Sequence, residues 1–274
     1  MPELPEVETV ARDLRHEIVG RRIESVRMSR ADVLRTPDVA VFTQVIAGQS
    51  VVTVDRRGKF ILLGMDSGDE FMVHLGMTGH LVVCDEAEPE ARHTHLRASL
   101  DDGRELRFDD ARRFGRLAYG SRAQLQQARV LPPLGIEPLA DEFTPDALHT
   151  LLHPSTRTLK AALLDQGRVA GMGNIYIDEA CFAAGVRPTR RCNRLTRAQT
   201  TALHGAIQAT LRRAIVNRGS SIDDYRDVWN ARGRHQEALQ VYGRGGQPCL
   251  RCGATLRRTV VGGRSTVYCR SCQR

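Results

Sequence analysis

The chain's nucleophiles and metal ligands are few and unevenly placed. Of 40 basic residues only two, Lys59 and Lys160, are lysines, so amine chemistry has few candidate amines. A third candidate stands at the start, Pro2-Glu3-Leu4-Pro5-Glu6-Val7-Glu8. A methionine before a small residue is usually removed, which would leave Pro2 as a free secondary amine. An α-amino group titrates near ~8 and lysine near ~10, so Pro2 would be the better nucleophile at neutral pH. It can form an iminium at a sugar C1′, with Glu3 beside it as general acid or base. Taken alone, these seven residues better suit a proline-initiated helix with a solvated acidic first turn. Lys59 is the rival nucleophile.

Four of the seven cysteines form a C-x2-C-x16-C-x2-C pattern: Cys249, Cys252, Cys269 and Cys272. Each C-x2-C places two thiolates on one turn, and two such turns close a tetrahedral four-sulfur site. With no open coordination position, one zinc ion there would be structural. Thr255–Val260 and Thr266–Tyr268 alternate as a hairpin would, with Arg257, Arg258 and Arg264 around it. The tail from Arg244 to Arg274 holds seven arginines and no acid, nearly the whole net charge of +8. Such a tail suits phosphates. Cys84, Cys181 and Cys192 are scattered, and an odd, lopsided cysteine set argues against a disulfide scaffold and for a reducing compartment.

These groups need elements to position them. Leu4, Val7, Val10, Ala11, Leu14 and Ile18 predict a helix over 4–18. From about 20 to 120, short apolar runs separated by turn signals read as a β-sandwich or barrel. Residues 131–145 resemble a linker. Helical spacing returns from about 146 to 217, best over 197–217, whereas 218–248 is Gly- and Arg-rich with little periodicity. No stretch approaches the roughly 18 apolar residues of a membrane helix, and the acidic start is unlike a signal peptide. A cytoplasmic protein without a membrane partner is expected, and the net charge of +8 fits a nucleic-acid partner.

The N-terminal heptapeptide closely resembles that of the formamidopyrimidine-DNA glycosylase family, and further motifs follow in the family's order. They are Arg57-Gly58-Lys59-Phe60, His74-Leu75-Gly76-Met77-Thr78-Gly79, Asp110-Ala111-Arg112-Arg113-Phe114-Gly115, Gly171-Met172-Gly173-Asn174-Ile175-Tyr176, and Gln240-Val241-Tyr242-Gly243-Arg244 leading into the cysteines. The resemblance covers essentially the whole chain. It implies an α+β architecture: an N-terminal β-sandwich with flanking helices (1–135), a helix–two-turn–helix domain (136–235) and a zinc finger (236–274).

The resemblance also implies roles. Pro2 would attack C1′ of a damaged nucleotide in double-stranded DNA bearing oxidised or abasic sites, and elimination at the 3′ and then the 5′ phosphate would follow. Glu3 would shuttle protons, Glu6 would support the site, and Lys59 would contact phosphate or lesion. The damaged base must leave the stack. Met77 would fill the vacancy, Phe114 would stack and Arg112 would meet the orphaned base. His74, Asn174, Tyr242, Arg258 and Arg264 would contact phosphates. The expected enzyme is a bifunctional glycosylase and abasic-site lyase for oxidised purines, acting as a monomer.

Departures fall at Ile136 and Ala111, each where the family usually has proline, and in 223–236. There His235 replaces a phenylalanine and Trp229 is the chain's single tryptophan. In the family this stretch covers the flipped base, so lesion preference is the property most exposed. An endonuclease-VIII-like enzyme for oxidised pyrimidines is the sister reading, though Leu4 favours the purine branch. A non-catalytic damaged-DNA-binding protein is the third, and an intact Pro2, Glu3 and Lys59 argue against it.

Overall fold

A computed structural model describes residues 1–222 and 224–274. They divide into two compact units, one of Met1–Pro133 with Asn217–Arg234, the other of Leu134–Val216 with His235–Arg274. The expected 136–235 domain thus contains a stretch, Asn217–Arg234, that is grouped with the first unit, while the cysteine-rich tail is grouped with the helices of the second. The cause of the first assignment is burial: Tyr225 and Val228 belong to the first unit's apolar core.

The first unit opens with α1 (Leu4–Ile18), followed by β1 (Ile23–Met28) and α2 (Val39–Ile46). Six strands come next: β2 (Val51–Arg57), β3 (Phe60–Met65), β4 (Glu70–His74), β5 (Gly79–Asp85), β6 (Thr94–Leu100) and β7 (Arg104–Asp110). β8 (Arg116–Gly120) and α3 (Arg122–Gln127) complete it. Two antiparallel four-stranded sheets form, ordered β1-β6-β7-β5 and β2-β3-β4-β8. Alternate residues of both sheets, such as Val54, Ile61 and Phe71 from one and Leu96, Leu106 and Phe108 from the other, share one core with Val7, Leu14 and Ile18 of α1. This is the expected sandwich. The short apolar runs at 51–54, 60–64, 71–74, 81–83, 95–100 and 105–108 all fall within strands. β1 and β8 lie within the expected β region, and the short helices α2 and α3 are additions to it.

The second unit holds α4 (Pro145–Leu152), α5 (Leu159–Leu163), α6 (Asn174–Ala183) and α7 (Arg197–Val216). A hairpin of β9 (Arg257–Val261) and β10 (Arg264–Tyr268) closes it. Leu256, Val267, Cys249 and Cys269 pack with Phe182 of α6, so the hairpin shares a small core with that helix. A buried Lys160–Asp178 ion pair of 2.6 Å reinforces the joint, with Lys160 Nζ donating to the Ser265 carbonyl and the Val267 N–H donating to Asp178. No helix among the described residues is long and apolar enough to cross a membrane.

Leu14 is fully buried between α1 and the sheets, whereas Val52 on β2 is half exposed. Leu14→Ala is expected to cost about 2–5 kcal/mol in urea unfolding, and Val52→Ala less than about 0.5 kcal/mol. Equal costs at the two positions would contradict this placement of the core.

Candidate active site and metal centre

The amino-terminal residues are built into the first unit, not solvated. Pro2 is buried, and Glu3 and Glu6 are only 3% and 2% exposed. Glu3 is the N-cap of α1, and it forms a reciprocal capping box with Glu6 three residues on. In it the Glu3 N–H donates to Glu6 Oε2 at 2.8 Å. A buried carboxylate needs such partners. The second Glu6 oxygen accepts the Ser220 N–H at 2.7 Å. Gly219 makes that approach possible: a Cβ there would lie 2.8 Å from Glu6 Oε1, and its φ is +76°. The acidic first turn is thus an enclosed carboxylate pair.

Lys59 sits on the β2–β3 turn and is 8% exposed. Arg56 ties this turn to α1, donating to Glu8 Oε2 at 2.8 Å and to the Gly58 carbonyl at 2.9 Å. The Lys59 turn and the first turns of α1 are therefore held together.

His74 ends β4, with its ring 4.9 Å from Phe60 and its Nδ1 accepting the Gly76 N–H at 3.2 Å. Burial, with the charges of Lys59 and Arg116, lowers its pKa to about 4. Met77 and Phe114 stand out from two adjacent loops, 37% and 43% exposed, so neither is a core residue. The Arg112 guanidinium lies 4.6 Å from the centre of the Phe114 ring. Asp110 locks the two loops. Fully buried, it accepts from Thr78 Oγ1 at 2.5 Å, from the Arg112 N–H at 3.2 Å and from the Gly115 N–H at 2.7 Å. A Cβ on Gly76 would lie 2.5 Å from the Gly115 nitrogen, so glycine is required where the loops cross. Sequence reasoning gave Asp110 no role, although a carboxylate flanked by loop N–H groups is a common turn lock.

The segment Asn217–Arg234 is fastened to α1. Arg218 bridges Asp13 and Asp227, and the indole of Trp229 lies 5.0 Å from its guanidinium carbon. Arg218 has a φ of +60°, a conformation costing about 1–2 kcal/mol for a side-chain-bearing residue, offset here by two ion pairs. Asp223, the first residue of the divergent stretch, lies outside the described residues. His235 is buried in the second unit, 5.7 Å from the Tyr176 ring, and burial with the nearby Arg213 charge lowers its pKa to about 4.

In the second unit, Gly173 is the N-cap of α6. Asn174 is the first helical residue, and its Oδ1 is buried without a hydrogen-bond partner among the described residues. Glu179 accepts the N–H groups of Gln240, Val241 and Tyr242 at 2.8 Å each, fixing the turn that carries Tyr242. Arg258 and Arg264 are exposed on β9 and β10.

The four tail cysteines converge, with all Sγ atoms within 4.8 Å of one another. The pairs Cys249–Cys272 and Cys252–Cys269 are 3.9 and 3.5 Å apart. A tetrahedral ion with metal–sulfur bonds of about 2.3 Å requires S···S edges of about 3.8 Å, so the thiols fit a four-sulfur metal site. Backbone N–H groups of Arg251 and Cys272 point at Cys249 and Cys269 sulfur, which suits thiolates. Elsewhere, burial pushes the Cys84, Cys181 and Cys192 thiols up, keeping them protonated.

Comparison with known proteins agrees with this geometry. Residues 1–117 match the formamidopyrimidine-DNA glycosylase N-terminal domain, residues 134–226 its H2TH domain, and residues 246–274 a zinc finger found in that enzyme and in IleRS. The fold and the matched domains define a DNA-repair glycosylase architecture. The chain belongs to the formamidopyrimidine-DNA glycosylase family. A curated relative of that name from Pelotomaculum thermopropionicum is 42% identical over 274 residues, spanning 100% of this chain and 99% of its own. The structure of the Lactococcus lactis protein with abasic-site DNA is similar at a TM-score of 0.91 and 34% identity, covering 99% of both chains. The wild-type Lactococcus lactis protein with DNA containing N7-benzyl-Fapy-dG gives a TM-score of 0.91, with 34% identity and full coverage of both.

The two lowered histidine pKa values set a pH dependence. An unfolded histidine binds its proton near ~6.5. In the fold His74 and His235 stay neutral to about 4. Protonation therefore favours the unfolded chain, and stability should be full above pH ~6.5 and decline between ~6.5 and ~4. His74→Asn, His235→Asn and the double variant should flatten this limb in urea unfolding measured across that range. An unchanged limb in the double variant would contradict the assignment.

Proposed function

We propose that the protein is a bifunctional DNA glycosylase and abasic-site lyase that excises oxidised purines. The observation carrying this reading is the enclosed Pro2–Glu3–Glu6 turn, with Lys59 on a strand turn tied to the same helix. With Met1 removed, the Pro2 nitrogen attacks C1′ of the flipped nucleotide. The glycosidic bond breaks with its electron pair leaving on the base, which takes up the proton lost by the Pro2 nitrogen. Glu3 then protonates the sugar ring oxygen, the C1′–O4′ bond breaks with its electron pair on that oxygen, and the nitrogen lone pair forms the C=N bond. The ring-opened sugar remains as an iminium on Pro2. That cation acidifies the C2′ proton, whose removal expels the 3′ phosphate, and a second elimination expels the 5′ phosphate. Lys59 is the cation placed for phosphate or lesion contact.

Met77, Arg112 and Phe114 are the groups proposed to occupy the space left by the extruded base. Their exposure and the Asp110 lock support this. His74 and, in the second unit, Asn174, Tyr242, Arg258 and Arg264 are proposed phosphate contacts. The exposed arginines on a tail without acids support that role. The Lactococcus lactis protein's structures with N7-benzyl-Fapy-dG, oxidised-pyrimidine and abasic-site DNA support damaged DNA as the substrate class. We propose that one zinc ion fills the Cys249–Cys252–Cys269–Cys272 site, where it holds the hairpin and takes no part in the reaction.

Borohydride is expected to trap wild-type protein on duplex DNA containing 8-oxoguanine, and Pro2→Gly to trap at least about a hundredfold less. Trapping that survives in Pro2→Gly would move the nucleophile to a lysine. Preference for thymine glycol over 8-oxoguanine and ring-opened guanine would favour the pyrimidine reading. Elemental analysis should find one zinc per chain, and its removal by a chelator should weaken DNA binding as the hairpin loosens. Zinc far below one per chain would contradict the assignment.

A further inference from the structure

Asn217–Arg234 contributes no regular element among its described residues, yet it is attached to α1 at closely spaced points. Arg218 Nη1 and Nη2 donate to the two oxygens of Asp13 at 3.2 and 2.6 Å. Its Nε and Nη2 also donate to Asp227 Oδ2 at 3.0 and 2.5 Å. Asp227 is buried and folds its own turn, accepting the N–H groups of Trp229 and Ala231 at 3.1 and 2.8 Å. The same loop returns Val228 to the core, where its carbonyl accepts the Val83 N–H at 3.1 Å. One guanidinium therefore joins the helix to a turn that the sandwich itself holds.

Two residues beyond Arg218, the Ser220 N–H reaches Glu6 Oε1. The residue between them, Gly219, is pressed against the same carboxylate. Glu6 Oε2 in turn holds the Glu3 N–H. A continuous set of short contacts thus runs from the Arg218 clamp through Ser220 and Glu6 to the residues beside Pro2.

We infer that Arg218 is a positioning residue for the amino-terminal reaction centre: by clamping Asp13 and Asp227 it holds the Ser220 N–H on Glu6, and Glu6 fixes Glu3 and Pro2. Only a guanidinium has the fork of donors to span two carboxylates at once; a lysine offers one point charge. Glu6 is a buried carboxylate facing two backbone donors, so losing one lets it turn and frees the helix start. The inference rests on the reading of Pro2 and Glu3 as the groups that carry the chemistry.

The test is single-turnover cleavage of abasic-site duplex at saturating enzyme, for wild type, Arg218→Ala, Glu6→Gln and the double variant. Binding to a duplex with a non-cleavable tetrahydrofuran site is measured alongside. Arg218→Ala should slow cleavage by about tenfold to a hundredfold, the scale of a misplaced reacting group. Its affinity for the tetrahydrofuran duplex should stay within about threefold of wild type, because its role is not a DNA contact. Since it acts through Glu6, the double variant should be no more than about twofold slower than Glu6→Gln alone. If Arg218→Ala folds poorly, Asp13→Asn removes one clamp charge at constant shape and should give the same pattern.

Wild-type cleavage rates in Arg218→Ala would overturn the inference. So would an Arg218→Ala cost of full size on the Glu6→Gln background, which would mark a generally structural role. A wild-type protein that neither cleaves nor traps abasic DNA would overturn the reading beneath it, and the inference with it.

Discussion

One buried carboxylate organises the first unit's chemistry. Glu6 lies on the first turn of α1 with almost no exposure, and each oxygen accepts a backbone N–H, one from Glu3 and one from Ser220. A buried charge without such partners costs several kcal/mol and would be neutralised or expelled. Meeting the requirement forces two segments more than 200 positions apart to the same place. It also dictates the residue before Ser220, because any side chain at Gly219 would collide with the carboxylate. The α1 start, the capping box and the course of Asn217–Arg234 follow from that constraint.

A similar device recurs around the other reactive features. Asp110 gathers the loops of Met77 and Phe114 through three donors. Glu179 gathers the turn of Tyr242 through three N–H groups, and Asp178 holds the hairpin through Lys160 and the Val267 N–H. Each of these acids holds the backbone beside a side chain proposed to touch DNA: Met77 and Phe114 on loops, Tyr242 on a turn, and Arg258 and Arg264 on the strands of the hairpin. Holding that backbone in place beforehand lowers the ordering cost of binding.

Much of this was legible in the residues. The period of 3.6 in 4–18 reproduces α1 to the residue, and the short apolar runs between 51 and 108 fall in strands. The paired cysteines converge as their spacing requires. What escaped was long-range satisfaction of polar groups. Nothing near Arg218 indicates that its partners are Asp13 and Asp227, and nothing around Lys160 shows that it is a buried ion-pair partner of Asp178. The stretch 218–248 looks featureless because its order comes from side-chain anchors, which leave no period in the sequence. Trp229 and His235, singled out together as departures from the family pattern, prove to have different settings: Trp229 covers the Arg218 clamp, and His235 packs on Tyr176.

In the proposed reaction the amine at the head of α1, held in place through Glu6 and Glu3, is the group that bonds to the sugar. Peptide mapping of the borohydride-reduced protein–DNA adduct by mass spectrometry addresses it directly. The modified peptide is expected to begin at Pro2, lack Met1 and carry the sugar remnant on its terminal nitrogen. A remnant on Lys59 or Lys160 in an otherwise active protein would contradict it.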